Sequence, residues 1–113
     1  MLKQIGMRSP RDLRKAALAQ GQADLLLGHA SNALSPLQRA VDLRESFLDP
    51  ARPSLADARL ALASCHLDLG HLRQAKSLLT QAKKALASHR ELSHQYTLPL
   101  HELDKRFRQI PQP

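Results

Sequence analysis

A long internal repeat is the feature of this sequence that most restricts its fold. The segment from Leu13 to Ser46 aligns without a gap with the segment from Leu55 to Ser88, at an offset of 42 residues. Thirteen of the 34 aligned pairs are identical, and a Gly-His dipeptide recurs in phase with the apolar positions. A fixed period of this length is typical of proteins that stack similar structural units, and such proteins usually bind a partner rather than catalyse a reaction.

The composition predicts an all-α protein. Apolar residues make up 42% of the 113 positions, and most of them are Leu or Ala, which favour helices. The β-branched and aromatic residues that strands prefer are scarce, since aromatic residues account for 3% of the chain. A chain of this length corresponds to one domain with a modest core.

Charge and cysteine content restrict the partners and the compartment. The net charge is +7, which favours acidic partners and nucleic acid through simple electrostatics. Cys65 is the one cysteine of the sequence, so an intramolecular disulfide is excluded and a reducing compartment is expected. No apolar run reaches the ~18 residues of a membrane span, and the first ten positions lack the apolar core of a signal peptide. We therefore expect a cytoplasmic protein without a membrane partner.

Glycine, proline and capping residues divide the repeat into helical hairpins. Proline suits the first helical turn, and a glycine after the last turn adopts the left-handed closing conformation at low cost. Gly28 and Gly70 therefore each predict a tight turn between two antiparallel helices. The predicted helices run from Ser9 to Leu27, from about Ser31 to Leu48, from Ser54 to Gly70 and from Leu72 to Ser88, with a rigid break at 49–53.

The repeat fades after the second hairpin. Residues 91–109 keep a helical spacing of apolar side chains, so a C-terminal helix is expected to cover the exposed apolar face of that hairpin. Pro36 predicts that the second helix is either kinked or starts late, and the repeat alignment favours a kinked helix that begins near Ser31. Pro99 predicts a kink in the last helix or its division into two. The predicted organisation is a tail at 1–8, a first repeat with its linker at 9–53, a second repeat at 54–88, a capping helix at 89–110 and a tail at 111–113.

The small and apolar positions around each turn resemble the tetratricopeptide repeat. The 42-residue period and the Asp49-Pro50 turn resemble its kinesin-light-chain-like variant, in which a longer linker follows the second helix. The resemblance covers roughly residues 10 to 90 and implies a superhelix of antiparallel helical hairpins, with about five helices in all. The matching positions are Gly21, Gly28, Ala33, Leu37 and Ala40 in the first copy, and Ala63, Gly70, Ala75, Leu79 and Ala82 in the second.

The chain departs from the family pattern in two respects. The bulky aromatic residues of the family's first helix are replaced here by leucine, alanine or polar residues. Two repeats are also fewer than the ~3 that a stable stack normally needs. Either the C-terminal helix completes the core or another chain covers an end. Such repeats also occur at the carboxyl end of larger bacterial multi-domain proteins, so the resemblance leaves open that the chain is a piece of one.

The sequence contains no convincing catalytic or metal site. The histidines lack the spacing of metal ligands on one helical face, since His66 and His71 are five residues apart, and no paired-cysteine motif exists. Cys65 aligns with Ala23, so a buried small side chain is expected there rather than a nucleophile. We expect a non-enzymatic protein without a metal or cofactor, because no catalytic pair is recognisable among the acids Asp57, Asp68, Glu102 and Asp104.

The resemblance also implies a binding groove, lined by the first helix of each hairpin. This surface lacks the cluster of Lys, Arg and Asn that would capture a carboxylate-terminated peptide, so a helix or a second copy of the chain fits at least as well. Some of its leucines are alternatively core residues, since sequence does not fix the helix phase to within a residue. The predicted groove residues are Lys15, Leu18, Gln22 and Leu25 from the first repeat and Asp57, Leu60, Ser64, Leu67 and Asp68 from the second.

The fourth helix carries a second candidate surface, which is basic. A solvated outer face is the simpler interpretation, because the aromatic stacking platforms of single-strand binders are missing from this segment. The main hypothesis is a scaffold that binds a protein, a peptide or a second copy of itself as a homodimer. The alternatives are a basic helical nucleic-acid-binding protein and a regulatory C-terminal segment of a larger enzyme. The basic residues concerned are Arg73, Lys76, Lys83 and Lys84.

Overall fold

The protein folds into five helices within the residues that the computed structural model describes, which are 10–47, 52–89 and 94–110. No strand occurs among these residues, so the all-α fold class is confirmed. None of their helices is long and apolar enough to cross a membrane. The predicted tails, the cap at Ser9 and the Asp-Pro turn of the linker lie outside the described residues. The helices are α1 (Pro10–Leu26), α2 (Ala30–Phe47), α3 (Pro53–Asp68), α4 (Leu72–Ala87) and α5 (His94–Arg108).

The two predicted glycine turns have the same backbone geometry. Gly28 and Gly70 have φ values of 79° and 82°, in the left-handed region that residues with a side chain rarely adopt. Each glycine amide donates to the carbonyl three residues earlier, at 3.0 Å and 3.1 Å. The amide of the following histidine donates to the carbonyl five residues earlier, at 2.8 Å in both turns. These are the paired bonds of the Schellman helix ending, so the duplicated sequence forms a duplicated structure.

Both internal prolines lie within continuous helices. α2 begins at Ala30, one residue before the predicted start, and runs through Pro36 without a break. α5 contains Pro99 and is also a single helix, so the predicted division into two helices does not occur. A proline lacks the amide that would bond to the fourth residue before it, so each helix loses one internal hydrogen bond at this point.

The order of helix contacts is that of a stack of hairpins. α1 packs against α2 and α3 packs against α4, while α3 also contacts both α1 and α2. α5 contacts α3 and α4 in turn. The C-terminal helix therefore has the same place relative to the second hairpin as α3 has relative to the first. α5 thus continues the series of first helices and packs against the second hairpin.

The core consists of two clusters of buried side chains that share α3. The first cluster joins α3 to α1 and α2, and the second joins it to α4 and α5. Because the two clusters lie on opposite sides of one helix, the fold of each hairpin depends on α3. In α3 the first cluster contains Leu55, Ala58, Leu62 and Cys65, and the second contains Ala56, Leu60 and Ala63.

A close contact between helices explains one of the small residues of the repeat. A Cβ atom added to Gly21 would lie 2.4 Å from the side chain of the buried Leu37, so α1 and α2 approach closely at this point. Ala63 occupies the equivalent position in α3, 42 residues later, and it is fully buried. The next equivalent position in α5 is Lys105, which is exposed. The small residue at the point of closest helix approach is therefore not repeated in α5.

Candidate functional site

A groove lies along the first helices, α1, α3 and α5. Its cavity measures about 540 Å³ and has apolar and polar walls. The three helices lie side by side in the stack, because α1 contacts α3 and α3 contacts α5. The lining residues are Gln22, Leu25 and Leu26 from α1, Asp57, Leu60, Ala61, Ser64 and Asp68 from α3, and Pro99, Glu102, Leu103 and Arg106 from α5.

The α5 wall of the groove keeps the 42-residue register of the repeat. Four lining residues of α3, at positions 57, 60, 61 and 64, have lining counterparts in α5 at positions 99, 102, 103 and 106. Arg106 Nη1 donates to Ser64 Oγ at 3.0 Å, which directly joins one such equivalent pair. The α5 wall is absent from the predicted groove because the residue types of α5 differ from those of α3, although the lining positions keep the 42-residue offset.

Six of the nine predicted groove residues line this cavity: Gln22, Leu25, Asp57, Leu60, Ser64 and Asp68. The other three do not. Leu18 is 6% exposed and belongs to the first core cluster, and Leu67 packs against the second cluster. Lys15 is exposed but lies outside the cavity lining. Leu18 and Leu67 therefore help to hold the hairpins together and are not presented in the groove.

Charges in the groove are predominantly negative. Three carboxylates, those of Asp57, Asp68 and Glu102, line it together with one guanidinium, that of Arg106. Arg106 forms an ion pair with Asp68 and also donates to Ser64. Asp57 and Glu102 form no ion pair or side-chain hydrogen bond within the described part of the chain. The groove is thus acidic in a chain whose net charge is +7.

Asp57 is held in an environment that disfavours its charge. Desolvation by burial raises the pKa of its carboxyl group, and the nearby Arg44 lowers it by a smaller amount. Arg44 is itself buried and donates from Nη1 to the carbonyl oxygen of Ser54. The guanidinium is therefore partly engaged by the backbone, and the Asp57 carboxylate remains incompletely compensated.

Asp57→Asn is expected to make the protein more stable at neutral pH. The folded state holds the proton of Asp57 more tightly than the unfolded state does, so the charged carboxylate lowers stability as the pH rises through the raised pKa. Below the ordinary aspartate pKa of about 4 the two proteins should differ least. Urea unfolding across this pH range measures the gap, which is the difference in the free energy of unfolding between Asp57→Asn and the wild type. The exposed Asp42, changed to Asn, is the control, and a gap that closes as the pH rises would contradict the prediction.

The predicted basic surface lies outside the groove, on the outer side of α4. Arg73, Lys76, Lys83 and Lys84 are all exposed, whereas the apolar side of the same helix packs into the core. Lys83 Nζ lies 2.7 Å from Asp104 Oδ1 of α5, so this cation is already paired. The Lys83 hydrogen bond lowers the pKa of Asp104. Lys83 therefore contributes to the contact between α4 and α5.

The histidine and cysteine side chains of the described ranges are positioned by the turn at Gly70 and by the core. His66 Nδ1 and His71 Nδ1 lie 3.0 Å apart, because the chain reverses at Gly70 between them. No group of three or more metal-ligating residues occurs in the described ranges. Cys65 is fully buried, as expected, and its Sγ donates to the carbonyl of Ala30 at 3.1 Å. Burial and Asp68 raise the pKa of its thiol, which keeps it protonated.

Comparison with known proteins identifies no family for this chain. A scan against protein-family models gives no match, and neither the curated proteins nor the solved structures contain a significant match to this chain. The tetratricopeptide resemblance therefore rests on the repeat period, the glycine turns and the small packing positions of the chain.

Proposed function

We propose that this chain is a tetratricopeptide-like, non-enzymatic interaction module that binds a segment of a protein partner in the groove formed by α1, α3 and α5. The observation that carries the proposal is the groove itself, since equivalent positions of successive helices line one continuous cavity. Binding surfaces of this kind combine an apolar floor with a few polar groups that fix orientation. Here Leu60 and Leu103 form the floor, and the groove acids and Arg106 supply the polar groups.

An exposed leucine at one end of the groove supports this proposal. Leu26 is 89% exposed and lines the cavity at the C-terminal end of α1. Leu25 beside it lies partly buried against the first core cluster and also lines the groove. A leucine that the fold leaves in water beside a cavity offers apolar area that a bound segment would bury. The core of the protein does not require Leu26 to be apolar.

Leu26→Glu is expected to abolish partner binding, because it puts a charge at the apolar end of the groove. Leu27→Glu is the matched control, since Leu27 is 69% exposed and does not line the cavity. The wild-type chain and both variants would be immobilised and exposed to an extract of the source organism. A protein retained by the wild type and by Leu27→Glu, but lost with Leu26→Glu, would then be purified and its affinity measured.

The outcome separates the groove from other surfaces. A partner that both variants retain equally would contradict binding in the groove. Light scattering of the purified chain tests whether the partner is a second copy, because self-association would then be lost in Leu26→Glu alone. Nucleic-acid binding is the competing hypothesis. It predicts an affinity that falls steeply with salt and that depends on Arg73, Lys76 and Lys84 rather than on Leu26.

A further inference from the structure

The charge of the groove is opposite to that of the chain. Within the described residues the groove lining has three carboxylates against one guanidinium, while the sequence as a whole has a net charge of +7. Screening decides which of these charges a ligand in the groove senses, because the Debye length is about 8 Å at physiological ionic strength. The basic residues of α4 are exposed, and none of them lines this groove. A ligand in the groove therefore senses the acids that line it more than the net charge of the molecule.

The groove already binds one cation of its own. The guanidinium of Arg106 spans from α5 to α3, where it pairs with Asp68 and donates to Ser64 Oγ at 3.0 Å. Carboxylate and hydroxyl oxygens at this end thus form a site that accepts a guanidinium. Towards the other end, neither Asp57 nor Glu102 forms an ion pair within the described residues, although Arg44 acts on Asp57 electrostatically.

We propose, resting on the proposed function, that the segment bound in this groove is a cationic amphipathic helix. Its apolar side contacts Leu26 and Leu60, and its Lys or Arg side chains pair with Asp57 and Glu102. The half-buried Asp57 gains most from such a ligand, because a cation relieves a carboxylate that burial disfavours. An anionic segment would meet like charges along the same path.

Two helical peptides of about 18 residues test this proposal, a length that spans the helices lining the groove. They share the same Leu and Ala positions and differ only in carrying Lys or Glu elsewhere. Fluorescence anisotropy with the full chain is expected to give at least ~10-fold tighter binding of the Lys peptide, which corresponds to two partly screened ion pairs. The double variant Asp57→Asn, Glu102→Gln should remove this preference and flatten its salt dependence.

Two further variants exclude a general effect on folding. Asp42→Asn removes an exposed acid of α2 outside the groove lining, and it should leave the affinity unchanged. Arg106→Gln removes the one cation of the groove lining, and it should tighten binding of the Lys peptide by about 3-fold. Unfolding would weaken binding of the Lys peptide in every variant. It cannot explain tighter binding in Arg106→Gln together with weaker binding in the acid variant.

The outcomes distinguish this inference from the function on which it rests. Equal binding of both peptides, abolished by Leu26→Glu, would overturn the cationic preference while the groove remained the binding site. Tight binding that Leu26→Glu leaves intact would overturn both. Failure of the Lys peptide to bind would overturn the inference. The proposed function would still be tested separately, by capturing a partner with the wild type, Leu26→Glu and Leu27→Glu.

Discussion

Leu62→Ala is expected to lower the free energy of unfolding by about 3 kcal/mol. Leu62 is 1% exposed and is among the largest fully buried side chains, so its truncation removes buried apolar surface and leaves a cavity in the first core cluster. A loss of this size is a large fraction of the roughly 5–15 kcal/mol that stabilises a typical domain. Urea unfolding followed by circular dichroism measures the change.

The effect of Leu62→Ala should reach both hairpins. Leu62 contacts only the first cluster, but α3 also supplies Leu60 and Ala63 to the second. Hydrogen exchange should therefore show loss of protection in α2 and in α4 together. Leu27→Ala is the control, because Leu27 is 69% exposed and its change should cost less than about 0.5 kcal/mol. Loss of protection confined to α1 and α2 would mean that the hairpins fold independently, as separate repeat units do.

The sequence predicted the hairpins because local chemistry determines them. A left-handed residue at a helix end strongly favours glycine, and both Gly28 and Gly70 occupy such a position. The small residues at close helix contacts were predictable because a larger side chain would not fit there. A side chain at Gly21, for example, would overlap Leu37. These signals act within a few residues or across one pair of helices, so a single sequence is sufficient to identify them.

The α5 wall was not predictable from the same signals. The residues that identify the repeat are the small ones at close helix contacts, and α5 has Lys105 and Leu98 where α3 has Ala63 and Ala56. Both positions of α5 are exposed, so among the described residues no close helix contact requires a small residue there. The repeat therefore fades in sequence at α5, while this helix keeps its place in the series of first helices.

Helix phase limited the prediction of the groove. Leu18 and Leu60 occupy equivalent positions and both are buried in a core cluster, yet of the two only Leu60 also lines the cavity. α3 has a first helix on each side of it, whereas α1 has one neighbour of this kind among the described residues. Which leucines face the groove thus depends on the position of the repeat in the stack, and the repeat pattern alone does not contain that information.

Leu103→Asp is expected to detach α5 from the rest of the fold. Leu103 is 4% exposed and packs in the second core cluster, with Leu100 and Phe107 partly buried beside it. The change removes apolar burial and places a charge where water is excluded, a combined loss of about 3 kcal/mol or more. Within the described ranges α5 contacts only α3 and α4, so its release need not unfold α1 and α2.

Detachment should appear as a loss of helix as well as of packing. α5 has 15 residues and contains Pro99, and a helix of this length is marginal in water without tertiary contacts. Circular dichroism should therefore lose about the share of the signal that α5 contributes, and its amides should lose protection in hydrogen exchange. Leu98→Asp is the matched control on the same helix. Leu98 is 53% exposed, so the same chemical change should leave α5 in place.

Polar contacts are too weak to hold α5 against this loss. Lys83 pairs with Asp104 and Arg106 pairs with Asp68, but these side chains are substantially exposed, and exposed ion pairs contribute little to stability. Protection of α5 that survives in Leu103→Asp would show that these pairs dominate. Because α5 also forms one wall of the groove, its detachment should abolish binding of the Lys peptide, while Leu98→Asp should leave that binding unchanged. The burial of Leu103 would then be required both for the packing of α5 and for binding in the groove.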